Sequence, residues 1–109
     1  METLCAVDVH CHLDDPLFDN DIESVISDAR NKGIKNFVIS AMLDLGIERA
    51  LMLASKYPWI YLSLGVQPQY VTDNNWKDLV NQFHEKLSSK FIAVGEVGLD
   101  RGREGGEIT

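Results

Sequence analysis

Two histidines that follow a short apolar run are the residues of this sequence best suited to chemistry. They lie in the segment DVHCH at residues 8–12. Side chains alternate between the two faces of a strand, so His10 and His12 are expected on one face with Asp8, and Cys11 on the other. Two neutral imidazoles about 7 Å apart along a strand end can bind one ion such as Zn, Mn, Fe or Ni. The spacing therefore predicts a metal site, and two unrelated loop or core histidines are the alternative.

A carboxylate stands in a comparable place near the end of the sequence. Glu96 lies in the segment GEVGLD at residues 95–100, between residues that are expected to be buried. Burying an unpaired charge is costly, so another group must compensate this carboxylate. A carboxylate has two oxygens and can bridge two cations, which predicts a dinuclear metal site at Glu96. The alternative is an ion pair between Glu96 and a Lys or Arg in the interior of the fold.

Further polar groups follow a third apolar run, LGVQP at residues 64–68. The amide of Gln67 can hydrogen-bond an oxyanion or a phosphate, and a turn residue without a chemical role is the alternative. Tyr70 can stack on a nucleic-acid base, and packing within its own loop is the alternative. Both residues are therefore candidates for contact with a substrate.

The elements that must position these groups alternate along the chain. Apolar runs rich in β-branched or large residues predict strands at residues 5–10, 36–40, 60–65 and 91–95. Apolar residues at helical spacing predict three amphipathic helices through Ile22, Val25, Ile26 and Ala29, through Ile47, Ala50, Leu51 and Ala54, and through Trp76, Leu79, Val80, Phe83 and Leu87. This alternation predicts βαβ units with right-handed crossovers, hence a parallel sheet with helices outside it.

Capping residues predict where the first two helices begin and end. Asn20 with Glu23 forms a capping box for the first helix, and Lys32 followed by a glycine ends it. Asp44 is expected to cap the second helix, and Pro58 prevents that helix from continuing.

The predicted fold class is α/β, and more specifically part of a (β/α)₈ TIM barrel. A closed barrel of this kind needs about 250 residues, whereas this chain has 109. Its four strands and three helices make about half a barrel, so residues 1–109 are expected to be the N-terminal part of a single barrel domain. Uncovered sheet edges favour self-association or pairing with another chain.

The charge is acidic and unevenly distributed. The chain has 10 Lys and Arg against 17 Asp and Glu, a net charge of −7, and its first 30 residues hold eight acidic residues and one basic residue. Such a surface lacks the usual basic footprint for nucleic acid, although bound metal ions can reverse the sign locally. Without a signal peptide or an apolar run of about 20 residues, a cytoplasmic protein with no membrane partner is expected.

Three blocks together resemble the N-terminal part of the TatD family of metal-dependent deoxyribonucleases: VDVHCHLDD at residues 7–15, LGVQP at 64–68 and GEVGLD at 95–100. The resemblance extends from residue 4 to about residue 101. It implies a (β/α)₈ barrel with two divalent metal ions, for which Mg, Mn and Zn are candidates. The implied activity is the hydrolysis of DNA phosphodiester bonds by a metal-activated water, in the manner of a 3′ to 5′ exonuclease.

The same resemblance implies roles for individual residues. His10 and His12 would ligate one ion, and Glu96 would be the catalytic carboxylate that bridges the two ions. Asp8 is expected beside them, where it would orient an imidazole. The resemblance does not extend to Arg101, because the family more often has an aromatic residue directly after the aspartate. Their position after the last strand makes Arg101 and Arg103 candidates for contact with phosphate, with a solvated glycine-rich loop as the alternative.

Two departures from the family pattern affect these expectations. The family usually has a histidine where this sequence has Gln67, which cannot carry a proton or a positive charge. The later ligands of the family, including an aspartate that acts on the water, lie beyond the length of this chain. His84 cannot replace them, because it is expected on a helix surface. The isolated chain is therefore expected to bind metal weakly and to be almost inactive.

Two other functions remain open. One is a catalytically inactive half-barrel that acts through self-association or a partner chain. The other is a related metallohydrolase that acts on a small ester, lactone or amide.

Overall fold

A computed structural model describes residues 5–45, 47–86 and 90–99 of the chain. The strands are β1 (Ala6–Cys11), β2 (Ile34–Met42), β3 (Ile60–Gly65) and β4 (Phe91–Val94), and the α-helices are α1 (Ile22–Asn31), α2 (Glu48–Lys56) and α3 (Trp76–Lys86). Short 3₁₀ turns at Pro16–Phe18, Leu43–Leu45 and Pro68–Tyr70 follow the first three strands. The predicted alternation of strands and helices is confirmed.

The four strands form one parallel sheet in the order β1-β2-β3-β4. Each strand therefore pairs with the next one in the chain. A doubly wound sheet reverses its strand order at a switch point, whereas a barrel wall adds its strands consecutively. The α/β prediction is confirmed, and the strand order is that of part of a TIM-type barrel.

The hydrophobic core lies between the two central strands and helices α1 and α2. Parallel strands covered on both faces bury nearly every side chain, and β2 and β3 show this pattern. Fully burying a large aliphatic side chain stabilises the fold by about 1.5–3 kcal/mol. The buried cluster consists of Leu13, Ile26, Phe37, Ile39, Ala41, Ile47, Ala50, Leu53, Ala54, Ile60, Leu62 and Leu64.

The two edge strands are much less covered. Val7 and Val9 on β1 are 51% and 72% exposed, and Ile92 and Val94 on β4 are 57% and 62% exposed. These four side chains are β-branched, a type that is enriched in strands. Both edges of the sheet are thus apolar and lack a partner strand among the described residues.

The end of α1 is as predicted, but its start is not. Lys32 is the C-cap residue, and Gly33 adopts a φ of 111°, which a residue without a Cβ allows. The capping box at Asn20 is wrong, because Asp21 is the N-cap residue and no side chain caps the helix. The chain instead enters α1 through a turn in which the Asp21 N–H donates to the Phe18 carbonyl at 3.2 Å.

The prediction for the start of α2 is also wrong. Its N-cap residue is Ile47, without a side-chain cap, whereas Asp44 lies in the preceding 3₁₀ turn. The Asp44 carboxylate accepts a hydrogen bond from the backbone N–H of Gln67 at 3.2 Å, so it ties the loop after β2 to the loop after β3. The helix ends at Lys56, two residues before Pro58, as expected.

Helix α3 is only loosely covered. Among its described residues Leu79 is buried, whereas Trp76 and Val80 are each 47% exposed. Leu87, the last residue of the predicted apolar stripe, lies outside the described residues. Within the described part of the chain, no helix has both the length and the apolar character needed to cross a bilayer.

Candidate metal centre

Three side chains from opposite edges of the sheet meet at the carboxyl ends of the strands. One ligand atom each of His10, His12 and Glu96 lies within 4.8 Å of the others. The Nε2 atom of His10 is 3.9 Å from a carboxylate oxygen of Glu96. The two imidazole rings stand edge to face, with centroids 5.1 Å apart. The structure thus brings together the three residues that the sequence indicates as metal ligands.

This meeting requires a curved sheet. Strands β1 and β4 are separated by two others. On a flat sheet, three strand spacings would keep their side chains about 14 Å apart, because side chains stand roughly perpendicular to the sheet. Contact between His10 and Glu96 shows that the carboxyl ends of the outer strands curl towards each other. That curvature is the geometry of a barrel wall.

A bulge in β1 sets the position of His10. Asp8 pairs with Phe37 and Cys11 with Ile39, so β1 uses three residue steps where β2 uses two. An extra residue of this kind bends the strand and re-aims side chains. The backbone N–H of His10, inside the bulge, donates to the Asp8 carboxylate at 3.1 Å. The described hydrogen bond of Asp8 therefore holds the backbone of His10 rather than an imidazole.

Cys11 lies on the other side of β1 from the two histidines. It is partly buried, packs against the hydrophobic core, and its Sγ donates to the Val38 carbonyl at 3.4 Å. Burial, reinforced by the negative charge of Asp8, raises the pKa of Cys11 to about 11. Because thiolate rather than thiol binds metal ions, this environment makes Cys11 a poor ligand.

The backbone of Glu96 is held against the end of β3. The Gly95 N–H donates to the Leu64 carbonyl, and the Val66 N–H donates to the Glu96 carbonyl, both at 2.9 Å. A Cβ atom added to Gly65 would overlap the backbone of Gly95 and Glu96. Sequence reasoning missed the role of Gly65, although a glycine at the end of a buried strand is a known sign of close backbone approach.

The expectation that Glu96 lies between buried residues is wrong. Its side chain is 49% exposed, and the neighbouring Val97 and Leu99 are 59% and 72% exposed. The expectation assumed a strand covered on both sides, whereas β4 is an edge strand in the described sheet. Solvent therefore compensates part of the charge of Glu96, and the site is open.

A cavity of about 480 Å³ adjoins the three side chains. Acidic groups dominate it, and burial raises the pKa of Asp14 above its ordinary value. Arg49 is the one Lys or Arg among the described residues that line it. The lining comprises His12, Asp14, Asp15, Pro16, Ser40, Met42, Arg49, Gln67 and Glu96. Sequence reasoning missed Asp14 and Arg49, because nothing in their spacing distinguishes them from surface charges.

Of the other residues that the sequence analysis considered for the site, only Gln67 lines the cavity among those that the structure describes. Gln67 is partly buried and lines the cavity. Tyr70 is 48% exposed on the following turn, where its carbonyl accepts a hydrogen bond from the Asn75 side chain at 2.7 Å. His84 is exposed in the last turn of α3, as expected. Arg101 lies outside the described residues.

The three converging groups fit a divalent metal ion. Two imidazole nitrogens and a carboxylate oxygen are a donor set typical of zinc and related ions. Two donors at about 2.1 Å from a tetrahedral zinc are about 3.4 Å apart. The separation of 3.9 Å between His10 Nε2 and Glu96 Oε2 needs only a small closure to reach that value.

Comparison with known proteins shows the family of this chain. The chain matches the TatD related DNase family over residues 7–107. It belongs to the TatD family. The matched segment contains His10, His12 and Glu96.

Relatives of this TatD-family chain are named as hydrolases or nucleases. It is 33% identical to an uncharacterized metal-dependent hydrolase, YjjV, of Escherichia coli, over 86% of this chain and 37% of the relative. It is 31% identical to the deoxyribonuclease TATDN3 of Homo sapiens, over 86% and 38% respectively. It is 30% identical to the 3'-5' ssDNA/RNA exonuclease TatD of Pectobacterium carotovorum, over 88% and 37%. The chain therefore spans less than two fifths of the length of these relatives.

Proposed function

We propose that this chain supplies the first part of a metal-dependent hydrolase site that acts on DNA phosphodiester bonds. The observation that carries the proposal is the convergence of His10, His12 and Glu96 within 4.8 Å. Membership of the TatD family supports the metal-dependent class, and relatives named as deoxyribonucleases and as an ssDNA/RNA exonuclease support the substrate.

Three of the chain's residues would bind metal, and a fourth would orient the substrate. His10 and His12 would hold one divalent ion, and Glu96 would share its two oxygens between that ion and a second one. Divalent ions in such a site polarise water and offset the charge of the phosphate. Gln67, which lines the same cavity, would donate a hydrogen bond to a phosphate oxygen.

The acidic surroundings of the site determine how DNA would bind. Asp14, Asp15 and Glu96 line the cavity with a single Arg among its described residues. A phosphodiester would be repelled unless metal ions offset these carboxylates. We therefore expect DNA binding to require the metal and to weaken steeply as salt is raised.

The binding of a fluorescent single-stranded oligonucleotide with a free 3′ end, followed by anisotropy, tests this function. With Mn²⁺ we expect the affinity to rise at least about 10-fold over its value in EDTA, and His10→Ala to remove the rise. Shortening of the oligonucleotide in the same samples reports hydrolysis. Binding that is equal with and without metal would contradict the proposal.

A second candidate is a metallohydrolase for a small ester, lactone or amide. Gln67 favours it, since a neutral amide stands at a place where the family usually has a proton-carrying histidine. The cavity of about 480 Å³ is also of a size that encloses small ligands. Chromogenic esters assayed beside the oligonucleotide distinguish the two, because metal-dependent cleavage of the esters alone would favour this candidate.

The open sheet edges support a further proposal, that copies of the chain associate. Val7 on β1 and Ile92 on β4 present exposed β-branched side chains on unpaired strands, which favour pairing with another chain. We expect light scattering after size-exclusion chromatography to show a mass that rises with concentration, and Val7→Lys with Ile92→Lys to restore the monomer. Met52→Lys is the control, since Met52 is 55% exposed on α2, away from both edges. A monomer at every concentration would refute this.

A further inference from the structure

Arg49 connects helix α2 to the loop that follows β1. It stands in the first turn of the helix, and its side chain reaches residues 14–19. Its Nε donates to the Asp14 carbonyl at 2.6 Å, and a terminal guanidinium nitrogen pairs with the Asp19 carboxylate. One side chain thus holds the loop at two points, five residues apart.

The loop that Arg49 contacts is compact. The Asp15 N–H donates to the His12 carbonyl at 2.9 Å, and the Leu17 N–H donates to the Asp15 carboxylate at 2.9 Å. Leu13 is buried in the hydrophobic core. Because these hydrogen bonds lie within the loop, contacts outside it fix its orientation: Leu13 in the core at its start and Arg49 on α2 further along.

The two histidines of the site depend on this loop to different extents. His10 lies within β1, in the bulge between the paired residues Asp8 and Cys11, where its backbone N–H donates to the Asp8 carboxylate. His12 lies one residue beyond the end of the strand, and its carbonyl is the one that accepts from Asp15. The direction of its imidazole therefore follows the orientation of the loop.

We propose that Arg49 is a positioning residue for the metal site, because it clamps the loop that carries His12. This inference rests on the proposed function, in which His12 is a ligand. The geometry requires a guanidinium, since its planar fork presents separate N–H donors to two acceptors at once. A lysine keeps the charge, but its single ammonium cannot reproduce that fixed pair of contacts.

The test compares the chain with Arg49→Lys and with Asp19→Asn, which weakens the clamp from the loop side. Arg30→Lys is the matched control, because Arg30 lies 3.9 Å over the Trp59 ring and lines other cavities. Hydrogen exchange of the Asp15 and Phe18 amides is measured without metal, and Zn²⁺ affinity is measured by calorimetry.

We expect Arg49→Lys to speed exchange of the loop amides and to weaken Zn²⁺ binding by about 10-fold, the low end of the usual loss of metal affinity when a group that orients a ligand is removed. Asp19→Asn should act in the same direction, and Arg30→Lys should change neither quantity by more than about twofold. Unchanged exchange, or faster exchange with unchanged zinc affinity, overturns the positioning role. A wild-type chain that binds no zinc contradicts the proposed function, and the exchange rates then decide whether the clamp exists.

Discussion

Replacing Glu96 with glutamine is expected to lower the affinity of the chain for Zn²⁺ or Mn²⁺ on the order of 100-fold. Losing a group that merely orients a ligand costs about 10–100-fold in metal affinity, so losing a ligand should reach at least the top of that range. Glutamine preserves the shape of the side chain but removes the anionic oxygen that the ion requires. Calorimetric titration of the metal-free chain measures the effect.

A matched control separates this loss from a general change in charge. Glu85→Gln makes the same substitution at an exposed position of helix α3, outside the cavity lining. It should leave metal affinity unchanged. The free energy of unfolding should be similar in both variants, because the Glu96 side chain is 49% exposed. Equal metal affinity in the wild type and in Glu96→Gln would show that this carboxylate is not a ligand.

Replacing Gly65 with alanine is expected to damage both the fold and the site. The added Cβ would overlap the backbone of Gly95 and Glu96, so the end of β4 must move away from β3. Overpacking of this kind lowers the free energy of unfolding by about 1–3 kcal/mol. Because the displaced segment carries Glu96, metal affinity should fall as well. Urea denaturation and calorimetry measure the two effects.

Gly95→Ala is the control for this prediction. A Cβ added at Gly95 meets no atom within 4 Å, so the substitution should change stability and metal binding far less. Gly65 is the last residue of β3 and Gly95 directly follows β4, so both lie beside the same backbone contact. The difference between the two substitutions therefore reports the space available to a Cβ atom, and not the loss of a glycine as such. Equal effects of the two substitutions, or a neutral Gly65→Ala, would refute the close approach of β3 and β4.

The features that the sequence predicts well are those that depend on local periodicity. Apolar runs and helical spacing indicate the strands and helices, and parallel strands have their carboxyl ends at the same end of the sheet. This reasoning places His10 and Glu96 at the carboxyl ends of the strands, where the structure has them. Their approach to within 3.9 Å depends on sheet curvature, which no local pattern contains.

The features that the sequence misses depend on contacts between distant segments. Asp44 has the side chain of a helix cap, but a backbone N–H 23 residues away uses its carboxylate instead. Gly65 matters because β4 approaches it, and Arg49 because a loop 30 residues earlier in the chain folds against it. The exposure of Glu96 likewise depends on which strands flank β4. None of these contacts can be predicted from composition or residue spacing alone.

A crystal structure of the chain soaked with Zn²⁺, with anomalous diffraction recorded at the zinc edge, would show whether His10, His12 and Glu96 bind one ion. We expect an anomalous peak about 2.0–2.2 Å from one imidazole nitrogen each of His10 and His12 and from a carboxylate oxygen of Glu96. A structure in which zinc binds only elsewhere, or in which the three side chains stay apart without an ion, would show that these residues do not form a metal site.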